Sequence, residues 1–386
     1  MSKPIIIIGS GLAGYNLARE IRQHDANIPI IMITKDAGAF YSKPMLSTSL
    51  SMAKTPEMLM SMNAEKMAAQ YNMQILTNTC IEKIIPEDNT LIATGVSNAL
   101  LSIEYSALVL CTGADTHIPT MEGDASAEIL QVNDVYQYQV FREKISGKKN
   151  ITLLGAGLVG CEFANDLTHA GYEVHIVDPA LSPIASLLPE RIGKELMQAL
   201  TQQGAHWHLG HIAKSIHHHG DQYQITLEDN TTFTTDVVFS AIGLKPRIEL
   251  AQQAHIHTHR GVVVDQYLRT NISNIYAMGD CAEINQWILP YIAPIMQAAK
   301  TLAKTLTGDA TALSLPAMAV VIKTSCYPLV VCRPPYPIDA TWQFEEENGA
   351  LRGHLRDAQN KLHGFILNKD LIKERMLLAS SVEKWL

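Results

Sequence analysis

The sequence predicts an α/β protein: two parallel-sheet domains built on one strand–turn–helix unit, then a small α+β domain at the C-terminus. Three observations predict it. An apolar strand enters G-x-G-x-x-G twice, at residues 5–14 and 151–160. Each copy continues into a helical pattern and a second strand, completing a βαβ unit. Two further strand-to-glycine runs follow, and residues 316–386 alternate strand signals before an apolar helical run.

In the first copy, Gly9, Gly11 and Gly14 stand at the spacing a dinucleotide pyrophosphate demands. The first glycine permits a tight turn, the second admits the pyrophosphate, and the third lets helix pack on strand. Leu12 and Ala13 open the helix, whose free N–H groups and dipole favour negative charge. The next strand runs into Thr34, Lys35 and Asp36; Asp36 is the nearby carboxylate for an adenosine ribose, with Thr34 and Lys35 as further contacts. One such motif alone also occurs where a glycine turn serves only packing, so the repetition carries the reading.

The second copy holds Gly155, Gly157, Leu158, Val159 and Gly160, and its second strand ends at Asp178. A carboxylate there accepts both ribose hydroxyls and repels a 2′-phosphate. Residues 179–184 offer no Arg or Lys to bind such a phosphate, so NADH is expected. A loop cap by Asp178 is compatible with that role. Two Rossmann-like dinucleotide-binding sites in tandem point to FAD at the first and a nicotinamide nucleotide at the second.

Residues 108–114 form a strand ending in Thr112-Gly113, and residues 237–243 one ending in Gly243; these are the expected crossings out of the first domain and back. Residues 275–282 form a strand ending in Gly279-Asp280. Asp280 either accepts a ribityl hydroxyl or caps the next helix. The expected domains are residues 1–112 with 242–315 for FAD, 113–241 for NADH, and 316–386 as a C-terminal interface domain.

The order of these motifs resembles the two-dinucleotide flavoprotein reductases related to glutathione reductase. Residues 41–47, 160–166 and 274–283 are similar to the branch of NADH-dependent ferredoxin and rubredoxin reductases. The resemblance implies that Lys43 and Pro44 lie against the isoalloxazine, where a cation favours hydride acceptance. It implies Ile81 backbone at the adenine and Ile292, opening a helix, at the flavin pyrimidine. It brings Glu162 near the flavin; the other reading of Glu162 is a first-turn acid on the helix dipole. Relatives carry a lysine at the position of Thr48, so Lys43 or Lys323 must balance Glu162, and the resemblance favours Lys323. No cysteine lies between Tyr41 and Ser51, where relatives carry a redox disulfide or a single reactive cysteine. Electrons are then expected to leave the flavin singly, for a rubredoxin with a ferredoxin as the alternative, or else to reduce oxygen or a quinone directly. A flavin-binding interaction protein of the apoptosis-inducing-factor type is the alternative of another class.

The 386 residues, 47% apolar and 18% charged, suit two or three globular domains. A net charge of −8 argues against nucleic acid. Rubredoxins are acidic too, so docking needs a local basic or apolar patch. No run approaches the roughly twenty apolar residues of a membrane span, and no signal peptide is evident, so a soluble cytoplasmic protein is expected. The six cysteines show no metal spacing; Cys326 and Cys332, the closest pair, are either a redox couple or half-buried strand residues. Alternating histidines at 206–208, 217–219 and 255–259 offer a zinc-like pattern, against which stands a solvent-facing place on surface hairpins.

Overall fold

The computed structural model describes residues 3–96 and 98–386; Met1, Ser2 and Ser97, which the first expected domain includes, lie outside the described residues. The first repeat folds as β1 (Ile5–Ile8), α1 (Leu12–His24) and β2 (Ile30–Ile33), with β1 and β2 parallel. Short helices α2 (Pro56–Leu59) and α3 (Ala64–Gln70) lead to β3 (Gln74–Leu76). A meander of β4 (Cys80–Ile85), β5 (Thr90–Thr94) and β6 (Leu100–Glu104) precedes β7 (Ala107–Leu110), which pairs with β1. β8 (Ala114–Thr116) then carries the chain out.

α4 (Val135–Ile145) introduces the second repeat: β9 (Asn150–Leu154), α5 (Leu158–His169) and β10 (Glu173–Asp178). α6 (Glu190–Thr201) and β11 (Ala205–Leu209) follow, then a meander of β12 (Ala213–His219), β13 (Gln222–Leu227) and β14 (Thr232–Thr235). β15 (Val237–Ser240) returns to pair with β9. β16 (Leu244–Pro246) pairs antiparallel with β8, so the outgoing and returning crossings form one ribbon. α7 (Glu249–Gln253), β17 (Val262–Val264), β18 (Ile275–Ala277), β19 (Ala282–Ile284) and α8 (Ile292–Leu306) come next. The two parallel sheets have the orders β18-β7-β1-β2-β3 and β11-β10-β9-β15. Strands β1 and β7 are buried at every position, as covered parallel strands must be.

The C-terminal part is an antiparallel sheet of β20 (Val320–Ile322), β21 (Leu329–Cys332), β22 (Thr341–Glu347), β23 (Ala350–Arg356) and β24 (Leu362–Asn368), in the order β20-β21-β24-β23-β22. Side chains alternate across a strand, and here the alternation feeds two cores. Val330, Cys332, Phe365 and Leu367 pack into the core of the first parallel sheet. Leu329, Val331 and Ile366 pack into that of the second. The sheet is a wedge between both dinucleotide-type domains. Phe365→Ala is therefore expected to cost about 3–5 kcal/mol in urea unfolding; a cost within experimental error would show that the wedge face is not packed.

Two expectations change. The helical run at 372–378 is broken: a 3-10 turn spans Lys369–Glu374, and α9 (Arg375–Ser381) follows. Leu371, Ile372 and Leu378 pack inward, whereas Met376 and Leu377 are left exposed. Residues adjacent in a helix do not share a face, so a continuous apolar run cannot be buried whole. Cys332 is a buried strand residue, but Cys326 lies in the turn after β20, and both are free thiols.

The histidines also depart from the hairpin reading. β11 is a parallel edge strand beside β10, and His206 and His208 stack on His175, with ring centroids 4.9 and 5.4 Å away. Phe233 covers His175 and His208 at 4.8 and 4.4 Å. His217 to His219 do lie on a hairpin, while His255 lies in the turn after α7 at φ +54°. No group of three ligands able to hold a metal is present among the described residues. Burial, reinforced by His206 and His208, lowers His175 to about 4. The unfolded chain binds that proton more readily, so this site loses stability as pH falls from the ordinary histidine range towards 4. The urea midpoint should drop between pH 7 and pH 5, and His175→Phe should reduce the drop; an equal drop in both proteins would assign acid lability elsewhere.

Candidate functional site

The two glycine turns make corresponding close contacts. A Cβ on Gly9 would meet the Cys111 carbonyl oxygen at 2.2 Å, and one on Gly155 that of Ala241 at 2.6 Å. A Cβ on Gly14 or Gly160 would lie 2.0 Å from the carbonyl oxygen of Gly9 or Gly155. The middle glycines, Gly11 and Gly157, have nothing within 4 Å. Packing accounts for the outer glycines, whereas the middle ones border open space.

The helix ends support the same division. Among the five described helices of eleven or more residues, α4 is capped by Asp134 and α6 carries Glu190 in its first turn. α1, α5 and α8 have neither a side-chain cap nor an acid there. Their orphan N–H groups are open to an anion. These are the helices opened by Leu12-Ala13, Leu158-Val159 and Ile292.

At the end of each second strand a carboxylate braces its glycine turn. Asp178 accepts the Ala156 N–H at 2.6 Å and the Ala180 N–H at 2.7 Å. It therefore does hold the next loop, as its plainer reading required. Asp36 Oδ1 accepts from Thr34 Oγ1 at 2.9 Å, the Gly38 N–H at 2.8 Å and Ser10 Oγ at 3.2 Å. Lys35 is exposed beside it, and Ile81 is half-buried on β4.

Gly279 has φ +80°, and its Cβ would press on Ala13 at the first glycine turn. Asp280 sits inside a 3-10 turn and caps no α-helix. No hydrogen bond from the described protein groups reaches its carboxylate, which burial raises above the ordinary range against the pull of Lys43 and Arg247. A half-buried carboxylate without a donor suits a ligand hydroxyl. Thr112 and Gly113 lie between β7 and β8, where Arg247 donates to the Thr112 carbonyl at 2.8 Å and to Asp115 at 2.8 Å. Gly243, at φ +122°, opens the return crossing onto free space.

The densest polar cluster joins all three parts of the chain. Lys323, following β20, pairs with Glu162 of α5 at 2.7 Å. Its backbone N–H donates to Glu162 Oε1 at 3.1 Å. Ser47 donates to Glu162 Oε2 at 2.7 Å and accepts from Lys323 at 2.8 Å; Lys323 also donates to the Pro44 carbonyl. Glu162 is the fifth residue of α5, past the first turn, so the dipole reading fails. Thr48 turns instead to the Met45 carbonyl. Lys43 has a different partner, Asn133, at 2.5 Å, and burial lowers its ammonium.

Two further α5 side chains complete the junction. Asp166 accepts the N–H groups of Leu50 and Ser51 at 3.0 and 2.8 Å, and Asn165 accepts that of Cys326 at 3.2 Å. One helix thus carries an open N-terminus and holds the other two parts by its side. The buried thiols Cys111, Cys161, Cys281 and Cys332 are all raised by burial, which disfavours the thiolate.

Residues 3–301 match the family described as pyridine nucleotide-disulphide oxidoreductase. The chain belongs to the pyridine nucleotide-disulphide oxidoreductase family. Residues 312–382 match a second family, the rubredoxin binding C-terminal domain. The chain is 42% identical over 385 residues to the rubredoxin-NAD(+) reductase of Alcanivorax borkumensis, covering 97% of each. It is equally 42% identical to that of Acinetobacter baylyi, covering 98% of each. Among solved structures, the ferredoxin reductase for the CYP199A2 system from Rhodopseudomonas palustris superposes with a TM-score of 0.89 at 25% identity, covering 99% of this chain and 96% of that one. Residues 41–51 contain no cysteine. No described helix is long and apolar enough to cross a membrane. The sequence analysis assigned no role to Ser47, Asn133, Asp166 or Arg247, although Ser47 lies inside the run at 41–47 and Asp166 inside that at 160–166.

Proposed function

We propose that the chain is an NADH:rubredoxin reductase that holds FAD in its first domain and takes NADH in its second. The observation that carries the reading is the junction. Helix α5, with an open dinucleotide-type N-terminus, meets Ser47, three residues past Pro44, and Lys323 of a C-terminal part that matches a rubredoxin-binding family. FAD, when bound, supplies the conversion from a two-electron donor to single-electron output. The chain binds and orients around it. Gly9, Gly11 and Gly14 with α1 cradle its pyrophosphate, and Asp36 and Asp280 accept its hydroxyls. Lys43, held by the Asn133 side-chain oxygen, brings positive charge beside the ring.

NADH enters at the second cradle, Gly155 to Gly160, with Asp178 accepting its ribose hydroxyls and Gly243 leaving the crossing open. Glu162, held by Ser47 and Lys323, borders the space where the nicotinamide arrives. We assign residues 1–112 and 242–315 to the FAD domain, 113–241 to the NADH domain and 316–386 to the acceptor side. The six free thiols fit a reducing compartment, the cytoplasm. In an anaerobic assay, NADH should reduce rubredoxin through catalytic amounts of the protein, with NADPH and ferredoxin at least about tenfold slower. Equal rates with ferredoxin would overturn the acceptor; equal rates with NADPH would overturn the ribose assignment.

A further inference from the structure

Lys323, Glu162 and Ser47 stand far apart in the chain, by 276 residues between Ser47 and Lys323 and 115 between Ser47 and Glu162. No single element holds them in place. An ammonium has three protons, and Lys323 finds three acceptors in the protein: Glu162 Oε2, Ser47 Oγ and the Pro44 carbonyl. Glu162 is 4% exposed, and Ser47 5%. Oε2 receives both Lys323 and the Ser47 hydroxyl, while Oε1 receives the Lys323 backbone N–H. The Ser47 proton has a second acceptor, the Pro44 carbonyl at 3.3 Å, but Glu162 at 2.7 Å is the nearer.

We propose that the Ser47 hydroxyl is the positioning group that holds the Glu162 carboxylate and the Lys323 ammonium in one geometry across three domains. The inference rests on the proposed function, in which Glu162 borders the nicotinamide. Ser47 serves as donor to the anion and acceptor from the cation at once, which an ion pair alone does not supply. The Lys323 backbone N–H fixes Oε1 but leaves the contact between Oε2 and the ammonium without a third partner. A hydroxyl bonded to both makes a closed triangle, with each corner carried by a different part of the fold. Its orientation is also tied to Pro44, so the cluster is referred to the segment expected to lie against the flavin. Without Ser47 Oγ, one Lys323 proton and one Glu162 lone pair lose their partner, and buried polar groups left unpaired rearrange.

The test is a double-mutant cycle on the FAD-loaded protein, read by anaerobic flavin bleaching at saturating NADH. Ser47→Ala should slow bleaching about tenfold, with the NADH dissociation constant and FAD content of the wild type. Ser47→Thr, which restores the hydroxyl, should recover most of the rate. In the Glu162→Gln background, Ser47→Ala should cost little more, because both act on the same carboxylate. Should the alanine variant not retain FAD, Ser47→Cys keeps the volume, loses the strong donor, and is expected to give the same result. Additive losses, or a weakened NADH affinity at an unchanged bleaching rate, would overturn the inference. A wild-type protein that NADH does not bleach would overturn the proposed function and this inference together; normal wild-type bleaching with additive losses removes only the role of Ser47.

Discussion

Gly157→Val should leave a folded, yellow protein that NADH reduces at least about a hundredfold more slowly. The residue has φ −71°, which any amino acid adopts, and no protein atom lies within 4 Å of its ideal Cβ. The fold therefore accepts a side chain. That side chain would occupy the space facing the pyrophosphate and cover the open N–H groups of α5. The outer glycines make the control. A Cβ on Gly160 would lie 2.0 Å from the Gly155 carbonyl oxygen, so Gly160→Ala should destabilise the domain itself. The mirror substitution Gly11→Val should yield a folded protein that purifies without FAD. Thermal melting and NADH titration separate these outcomes; a Gly157→Val protein with normal NADH affinity would remove the second cradle from the account.

Glu162→Gln is expected to slow flavin bleaching by NADH about ten- to a hundredfold, and also to lower stability. The glutamine keeps the shape but leaves Lys323 facing a neutral amide. Breaking a buried pair leaves an uncompensated charge, at about 3–5 kcal/mol when burial is complete. The Lys323 side chain keeps 29% of its surface exposed, so about 1–3 kcal/mol is the better expectation here. Adding Lys323→Met to Glu162→Gln should restore stability, since the lone charge is gone, without restoring the bleaching rate. Recovery of both would make the pair purely structural; recovery of neither would show that Lys323 is held by other groups.

The sequence disclosed what backbone geometry enforces. Gly9, Gly14, Gly155 and Gly160 sit where any Cβ would collide with a carbonyl, so the motif could not be disguised by substitution. Buried parallel strands are apolar at every position, and Ile5–Ile8 with Ala107–Leu110 announced the first sheet for that reason. The Gly-Asp turn was legible as a motif, while the choice between helix cap and ligand acceptor needed coordinates. The junction was the hardest part. Lys323 as partner of Glu162 was expected only through resemblance, and nothing local connects residues 44 and 47 with 162 or 323. Asn133 as acceptor for Lys43 had no signal at all, because a side-chain amide before a helix reads equally well as a cap. The histidines were partly legible: His206 and His217 to His219 do face solvent, but the approach of β10 and Phe233 half-buries His208.

The central claim is that electrons pass from NADH to an outside one-electron carrier without a thiol relay. It is tested most directly by anaerobic sequential-mixing stopped-flow, with NADH in the first mix and oxidised rubredoxin or a ferredoxin in the second. The account predicts rapid flavin bleaching, then fast rubredoxin reduction and slow ferredoxin reduction, both unchanged after alkylation of the accessible cysteines. Bleaching with neither carrier reduced would contradict it and favour a flavin-binding interaction protein, whose NADH-dependent association would then be the property to measure.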